Sequence, residues 1–307
     1  MKYVIISDTT CDLTPDECVT YGIWPQLFAQ NITCRDQDVP IDDPESFYRH
    51  LENGDYPPGE LKTSSGGYDS AMQVLNDVVE YTKDDTVIVY AGVSPHMSSG
   101  TIAMMQLALE SYAKMYPYRK FVYIDTKCVS NGQATFLQYL AKYNGDDIEA
   151  YADELGKHIV HLFTQSDLSY SAKSGRYNIV KRIAMMTLSK LKLSPWMYFP
   201  SDSKLDMQGK LRHGDTILRE WVNYYIEHVA DDNEFIRIGY GGSVSQRRAE
   251  KFAQMLEEHA GVTRDKIQMA YVSPVVGAHT GETVLSFFFK QRDERWPQAT
   301  SVRGGFF

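Results

Sequence analysis

The chain has 307 residues, 43% of them hydrophobic, enough to bury a sizeable core in two domains of ordinary size. Its formal net charge is −9, with 40 acidic against 31 basic residues, which argues against non-specific binding to nucleic acid or an anionic membrane, because both need a basic face. No apolar run approaches the roughly 18 residues of a membrane helix, and the opening MKYVIISD reads as a first strand, too short for a signal peptide.

Four cysteines, Cys11, Cys18, Cys34 and Cys128, show neither CxxC spacing nor a disulfide-framework density, so they read as reduced thiols in a cytoplasmic protein. Along the chain, short apolar runs end in polar or glycine-rich residues, with helical patterns between them. Tyr3–Ile6 reads as a strand leading into Ser7-Asp8-Thr9-Thr10. Pro44 opens a helix through Leu51, and Asn53-Gly54 and Pro57-Pro58-Gly59 mark turns or loop. Lys62–Gly67 reads as a loop before a helix at Asp69–Tyr81. Thr86–Ala91 is a strand leading into Gly92–Gly100, and Thr101–Met115 is a helix. Phe121–Ile124 is another strand, leading into Asp125-Thr126-Lys127. Gly145–Phe163 reads as one long helix joining two halves. Further on, Ile179, Val180, Ile183, Thr187, Leu188 and Leu191 trace one helical face. Phe199–Arg212 reads as a hairpin around Asp206–Gly209. Phe235–Tyr240 is a strand followed by Gly241-Gly242-Ser243 and a helix, Gln246–His259. Ile267–Val272 is the last strand, and Ser273–Gly281 reads as a sharp glycine turn with His279 and Thr280 at its tip. Lys290–Phe307 receives no assignment. Strands alternating with helices predict parallel α/β units, divided into domains 1–165 and 166–307. In such sheets ligands gather beyond the carboxyl ends of the strands, where these polar clusters lie.

Four clusters carry candidate chemistry: Lys62-Thr63-Ser64-Ser65-Gly66-Gly67, Ser98-Ser99-Gly100-Thr101, Gly175-Arg176 and His279-Thr280. Hydroxyls and backbone N–H groups near helix starts favour an anion, because unpaired donors and the positive end of the helix dipole point the same way. Arginine adds a planar fork suited to a carboxylate. Each has a plainer explanation: Ser99 or Thr101 as a helix cap, Thr63-Ser64 as ordinary loop, Arg176 paired with a surface acid, His279 as a buried, satisfied histidine. Asp8 with Asp12 resembles a metal pair, although acids at strand ends and caps are common. Standard catalytic motifs are missing. Gly54–Gly59 has Walker spacing but Glu60 follows it, Gly239-Tyr240-Gly241-Gly242 is a partial dinucleotide fingerprint, and Gly92-Val93-Ser94-Pro95-His96 lacks the second glycine of a nucleophile elbow.

The order of motifs resembles the DegV family of bacterial fatty-acid-binding proteins. Ile6–Leu13, ISDTTCDL, is similar to the family's VTDSTADL, and Thr63-Ser64 stands at its TSQPS loop. Met97–Thr101, MSSGT, resembles its LSGT helix start, and Ile124–Gly132, IDTKCVSNG, its IDSKSVSMG. Ser174–Tyr177, SGRY, resembles GGRIS, and Pro274–Gly281, PVVGAHTG, resembles PVIGAHTGPG. The resemblance implies an α/β fold of two α/β domains with a ligand tunnel between them. It implies a long-chain fatty acid whose carboxylate is held by Thr63 and Ser99, with Ser64, Gly100, Thr101, Arg176, His279 and Thr280 around it. It also implies that the protein is no enzyme but presents the carboxylate to a separate ATP-using kinase of the dihydroxyacetone-kinase type, with no cofactor or metal of its own. This chain departs from the pattern at Ser65-Gly66-Gly67, at Leu193-Ser194-Pro195 where the family has IKP, and at Glu282-Thr283, which places an acid beside His279. The alternatives are an acyl hydrolase or transferase working through Ser99 and His279, and a carrier of another lipid-like carboxylate.

Overall fold

The computed structural model describes residues 2–175, 179–199 and 206–295. In chain order the elements are β1 (Tyr3–Ile6), α1 (Pro15–Tyr21), β2 (Gln30–Cys34), β3 (Gln37–Val39), α2 (Pro44–Asn53) and β4 (Leu61–Ser65). Next come α3 (Tyr68–Tyr81), β5 (Val87–Gly92), α4 (Ser99–Met115), β6 (Phe121–Asp125), α5 (Asn131–Ala141) and α6 (Ile148–His158). The remainder is β7 (Ile159–Thr164), α7 (Ser169–Lys173), α8 (Ile179–Lys190), β8 (Leu193–Tyr198), β9 (Asp206–His213), α9 (Thr216–His228), β10 (Ile236–Tyr240), α10 (Ser243–Ala260), β11 (Ile267–Tyr271), α11 (Pro274–Thr280) and β12 (Leu285–Lys290).

The chain forms two compact α/β units. The first contains Met1–Asn31 and Ser64–Lys157; the second contains Ile32–Thr63 and His158–Phe307. A single cut near residue 165 does not describe this division, because the segment Ile32–Thr63 joins the second unit. That segment contributes Phe47, Tyr48 and Leu51 of α2 to an apolar cluster with Tyr170, Val272, Val275 and Ala278.

The first unit is built on a parallel sheet of order β1-β5-β6, with Tyr3 opposite Val87 and Ile88 opposite Phe121. Five of the six β5 residues are fully buried, as expected of a central strand covered on both faces. The second unit holds a mixed six-stranded sheet of order β11-β10-β12-β7-β8-β9, in which only the β10–β11 pair is parallel. Trp221 and Ile217 of α9 and Phe252 and Leu256 of α10 form its main core with Leu162, Ile238 and Phe287.

Several expectations are corrected. The helix predicted for Gly145–Phe163 stops at His158, and Ile159–Thr164 is β7, flanked by β12 and β8. A strand buried along its whole length lacks the alternation that would separate it from a helix. Lys62–Ser65 lies in β4 and not in a loop. Asp206–Gly209 is not a turn but the start of β9, and the connection at 200–205 lies outside the described residues. The predicted apolar face of α8 is only partly the buried one: its Leu188 is buried together with Met185, which lay outside it, whereas Ile179, Ile183 and Leu191 are exposed. Finally, Pro274–Thr280 is a short helix rather than a glycine turn.

Candidate functional site

In the first unit, polar side chains collect where β1, β5 and β6 end. Asp8 is fully buried. Its carboxylate accepts hydrogen bonds from Tyr90 Oη (2.8 Å), Val93 N (3.0 Å), Gln133 Nε2 (3.3 Å), Thr10 N (3.1 Å) and the Thr10 hydroxyl. Such a donor set offsets the cost of burying the charge. Burial, reinforced by the neighbouring Asp8, pushes the Tyr90 phenol well above its ordinary range and keeps it a donor. Asp12 accepts from Asn131 Nδ2 at 2.8 Å and from the Ser130 hydroxyl. The two aspartates therefore bind protein donors, and among the described residues no group of three His, Cys, Asp or Glu could hold a metal ion. Ser130 has φ 62 and ψ −148, backbone space normally left to glycine. Its N–H to Thr10 O at 2.8 Å and its hydroxyl on Asp12 hold it there.

The same shelf carries the start of α4. Ser98 is the N-cap residue, yet no side chain caps this helix. Instead Ser98 Oγ lies 2.7 Å from Thr101 Oγ1, and Gln30 Nε2 donates to Thr101 Oγ1 at 3.2 Å. The first intrahelical bond runs from Ile102 N to Ser98 O, so the N–H groups of Ser99, Gly100 and Thr101 lie in the orphan turn at the positive end of a 17-residue helix. Thr101 is fully buried, whereas Ser99, Gly100 and Ser64 are exposed. A Cβ built on Gly100 would stand 3.3 Å from Ser65 Oγ, which places the end of β4 beside this helix start.

In the second unit, Thr63 Oγ1 and His279 Nε2 are 2.8 Å apart, although the residues are far apart in sequence. The packing of α11 explains the pairing. Gly277 lies against α2, where a Cβ would come 2.5 Å from Tyr48 Oη and 2.9 Å from Phe47 Cε1. Gly281 ends the helix at φ 75, with the Tyr170 ring against it. The Ser171 hydroxyl donates to His279 O at 3.0 Å and fixes the last turn. Thr280 turns its hydroxyl back to Val276 O at 3.2 Å. Burial, with Asp167 and Glu52 nearby, raises the Glu282 carboxyl above its ordinary range. Arg176 lies outside the described residues.

Thus the structure pairs Thr63 with His279, and it assembles Ser99, Gly100 and Thr101 on one helix start with Ser65 beside it. Sequence reasoning placed Ser98 in the same hydroxyl cluster as Ser99 and Thr101 but missed Gln30. Gln30 sits at a core-facing position of β2, in phase with buried Ile32 and Cys34. A polar residue at an apolar phase of a strand was the signal that could have found it.

The DegV family, described as one of uncharacterised proteins, matches residues 2–292 of the chain. A DegV domain-containing protein of Clostridium perfringens is 26% identical over 297 residues, covering 94% of this chain and 97% of that protein. Two solved structures share the fold. A DegV family protein of Eubacterium eligens loaded with heptadecanoic acid is 18% identical with a TM-score of 0.76, covering 94% of this chain and 99% of the other. The Streptococcus pneumoniae fatty acid kinase B3 protein loaded with linoleic acid is 14% identical with a TM-score of 0.74, again over 94% and 99%. With a match spanning almost all of its described residues, this chain belongs to the DegV family.

Proposed function

We propose that the protein is a cytoplasmic carrier that binds a long-chain fatty acid and presents its carboxylate to a separate ATP-using kinase for acyl-phosphate formation. The observation that carries this reading is the uncapped start of α4, where hydroxyls and orphan N–H groups stand at the positive end of a long helix. A carboxylate needs several donors once it leaves water, and hydroxyls, amides and a cation satisfy its lone pairs. On this reading Ser64, Ser99, Gly100 and Thr101 bind it together with Thr63, His279 and Thr280, and Arg176 supplies positive charge. The acyl tail adds roughly 0.8 kcal/mol per buried methylene before losses of immobilisation. The fatty acids carried by the Eubacterium and Streptococcus proteins support a long-chain ligand, and the kinase name of the latter supports the partner.

Native mass spectrometry of the purified protein, followed by lipid extraction, tests the reading. The expected result is one long-chain fatty acid per chain, which a dihydroxyacetone-kinase-type fatty acid kinase then phosphorylates with ATP. A protein that arrives empty and also ignores added long-chain fatty acids overturns it.

A further inference from the structure

The hydroxyls at the start of α4 are tied to the buried amide of Gln30, and donor counting together with the burial of Thr101 gives the chain a direction. The Gln30 backbone N–H can only donate, and it donates to Thr9 Oγ1 at 3.0 Å. The single Thr9 hydroxyl proton therefore goes to the other neighbour, Gln30 Oε1. This turns the amide so that its nitrogen faces Thr101, to whose Oγ1 it donates at 3.2 Å. Thr101 is fully buried and its hydroxyl has no other acceptor among the described residues, so its one proton goes to Ser98 Oγ, 2.7 Å away. Ser98 Oγ has no further partner among the described residues, which leaves its own proton to give to a ligand. Gln30 and Thr101 are buried, whereas Ser98 is half-buried, so the open end of the sequence is the hydroxyl left with a proton to give. Ser98 also declines its usual role as an acceptor for the helix N-terminus, which leaves the N–H groups of that turn beside the same proton.

We infer that Gln30 is a positioning residue, which polarises the sequence Thr9 to Gln30 to Thr101 to Ser98 so that Ser98 donates to the ligand carboxylate. This rests on the fatty-acid reading above and adds to it a residue, Ser98, and a reason for its selectivity. A carboxylate only accepts hydrogen bonds, whereas an alcohol both accepts and donates, so a one-way donor chain favours the acid. Gln30 touches no ligand on this account and acts through Thr101 and Ser98.

The test measures Kd of the full-length protein for linoleate and for linoleyl alcohol, which share a tail. Gln30→Glu accepts at both ends, draws the Thr101 and Ser98 protons inward and leaves none for the ligand. It is expected to weaken linoleate about tenfold or more while the alcohol, able to donate, loses less than about threefold. Gln30→Met matches the length without charge or polar atoms, so its loss of linoleate affinity, about threefold or more, is not electrostatic repulsion. Ser98→Ala removes the final donor, and the Gln30→Met/Ser98→Ala pair should bind linoleate no more weakly than Ser98→Ala alone. Equal losses for acid and alcohol would mark Gln30 as merely structural and overturn the inference. Unchanged linoleate binding in Gln30→Met, or additive losses in the double variant, would also overturn it while leaving the carrier reading intact. A wild-type protein that binds neither ligand ends both.

Discussion

At the scale of single residues, the sequence exposes groups whose chemistry is unusual for their place and hides those that act through a neighbour. Thr63 and His279 stood out because a hydroxyl and an imidazole lay among glycines and small residues, and they meet at 2.8 Å. Gln30 did not, because donor counting needs the positions of Thr9, Thr101 and Ser98 together. His161 is another hidden case. It lies in the middle of β7, stacked 4.3 Å from the Phe199 ring with the tilted Phe288 ring 4.6 Å away, and its Nδ1 has no hydrogen-bond partner among the described residues. Burial, helped by the charge of Arg295, holds its pKa well below the ordinary 6.5. The folded protein therefore keeps a neutral imidazole while the unfolded chain takes up a proton below pH 6.5. Stability from this group is full above 6.5 and falls as pH drops, by up to about 1.4 kcal/mol per pH unit. Thermal melts between pH 7 and 5 should show a steeper loss for wild type than for His161→Phe. Parallel curves would refute the assignment.

At the scale of elements, strands bounded by polar or glycine-rich turns and long amphipathic helices were readable, while a buried strand that follows a helix with no turn between them was not. Tyr3–Ile6 and the helix ending at Tyr81 match the expected limits, because polar ends and helical spacing mark them. β7 was absorbed into the helix before it because all six of its residues are buried. The two glycines of Gly277–Gly281 suggest a turn in the sequence, yet of the pair only Gly281 takes a positive φ. Gly277 is helical and is small for a packing reason: the buried Tyr48 hydroxyl occupies the space a methyl would fill. In an exposed helix Gly→Ala stabilises by about 1 kcal/mol. Here Gly277→Ala should instead destabilise by about 1–3 kcal/mol in urea unfolding, the usual cost of overpacking. Adding Tyr48→Phe, which removes the obstructing oxygen, should recover part of that loss. A stabilised single variant would show that α11 is not packed as described.

At the scale of the whole molecule, the α/β class and the order of motifs were readable from the chain, but its division was not. A linear sequence suggests a linear cut, whereas the chain enters the second unit at Ile32, leaves it after Thr63 and returns at His158. The deciding contacts are those of Phe47, Tyr48 and Leu51 with Tyr170, Val272 and Val275, long-range packing that no local pattern announces. A fragment spanning residues 158–307 should therefore lack a proper core: without α2, the apolar faces of α7 and α11 lie open. It is expected to be insoluble, or to show a collapsed state without a cooperative melt, and coexpression of residues 32–63 should improve its solubility. A fragment that melts cooperatively alone would show that α2 is dispensable.

The position of β12 in the second sheet has a consequence for how this protein is made. It is the last strand of the described chain, yet it lies between β10 and β7. On the ribosome, β7 is complete long before β12 exists. At about 5–20 residues per second the wait is on the order of ten seconds. Throughout it Ile159–Thr164, IVHLFT, has an unpaired edge, no formal charge and strong β preference, the profile of a segment that pairs with the wrong strand. Completion of this sheet thus waits on the synthesis of β12, and yield in the cell should depend on chaperones that shield nascent strands for that interval.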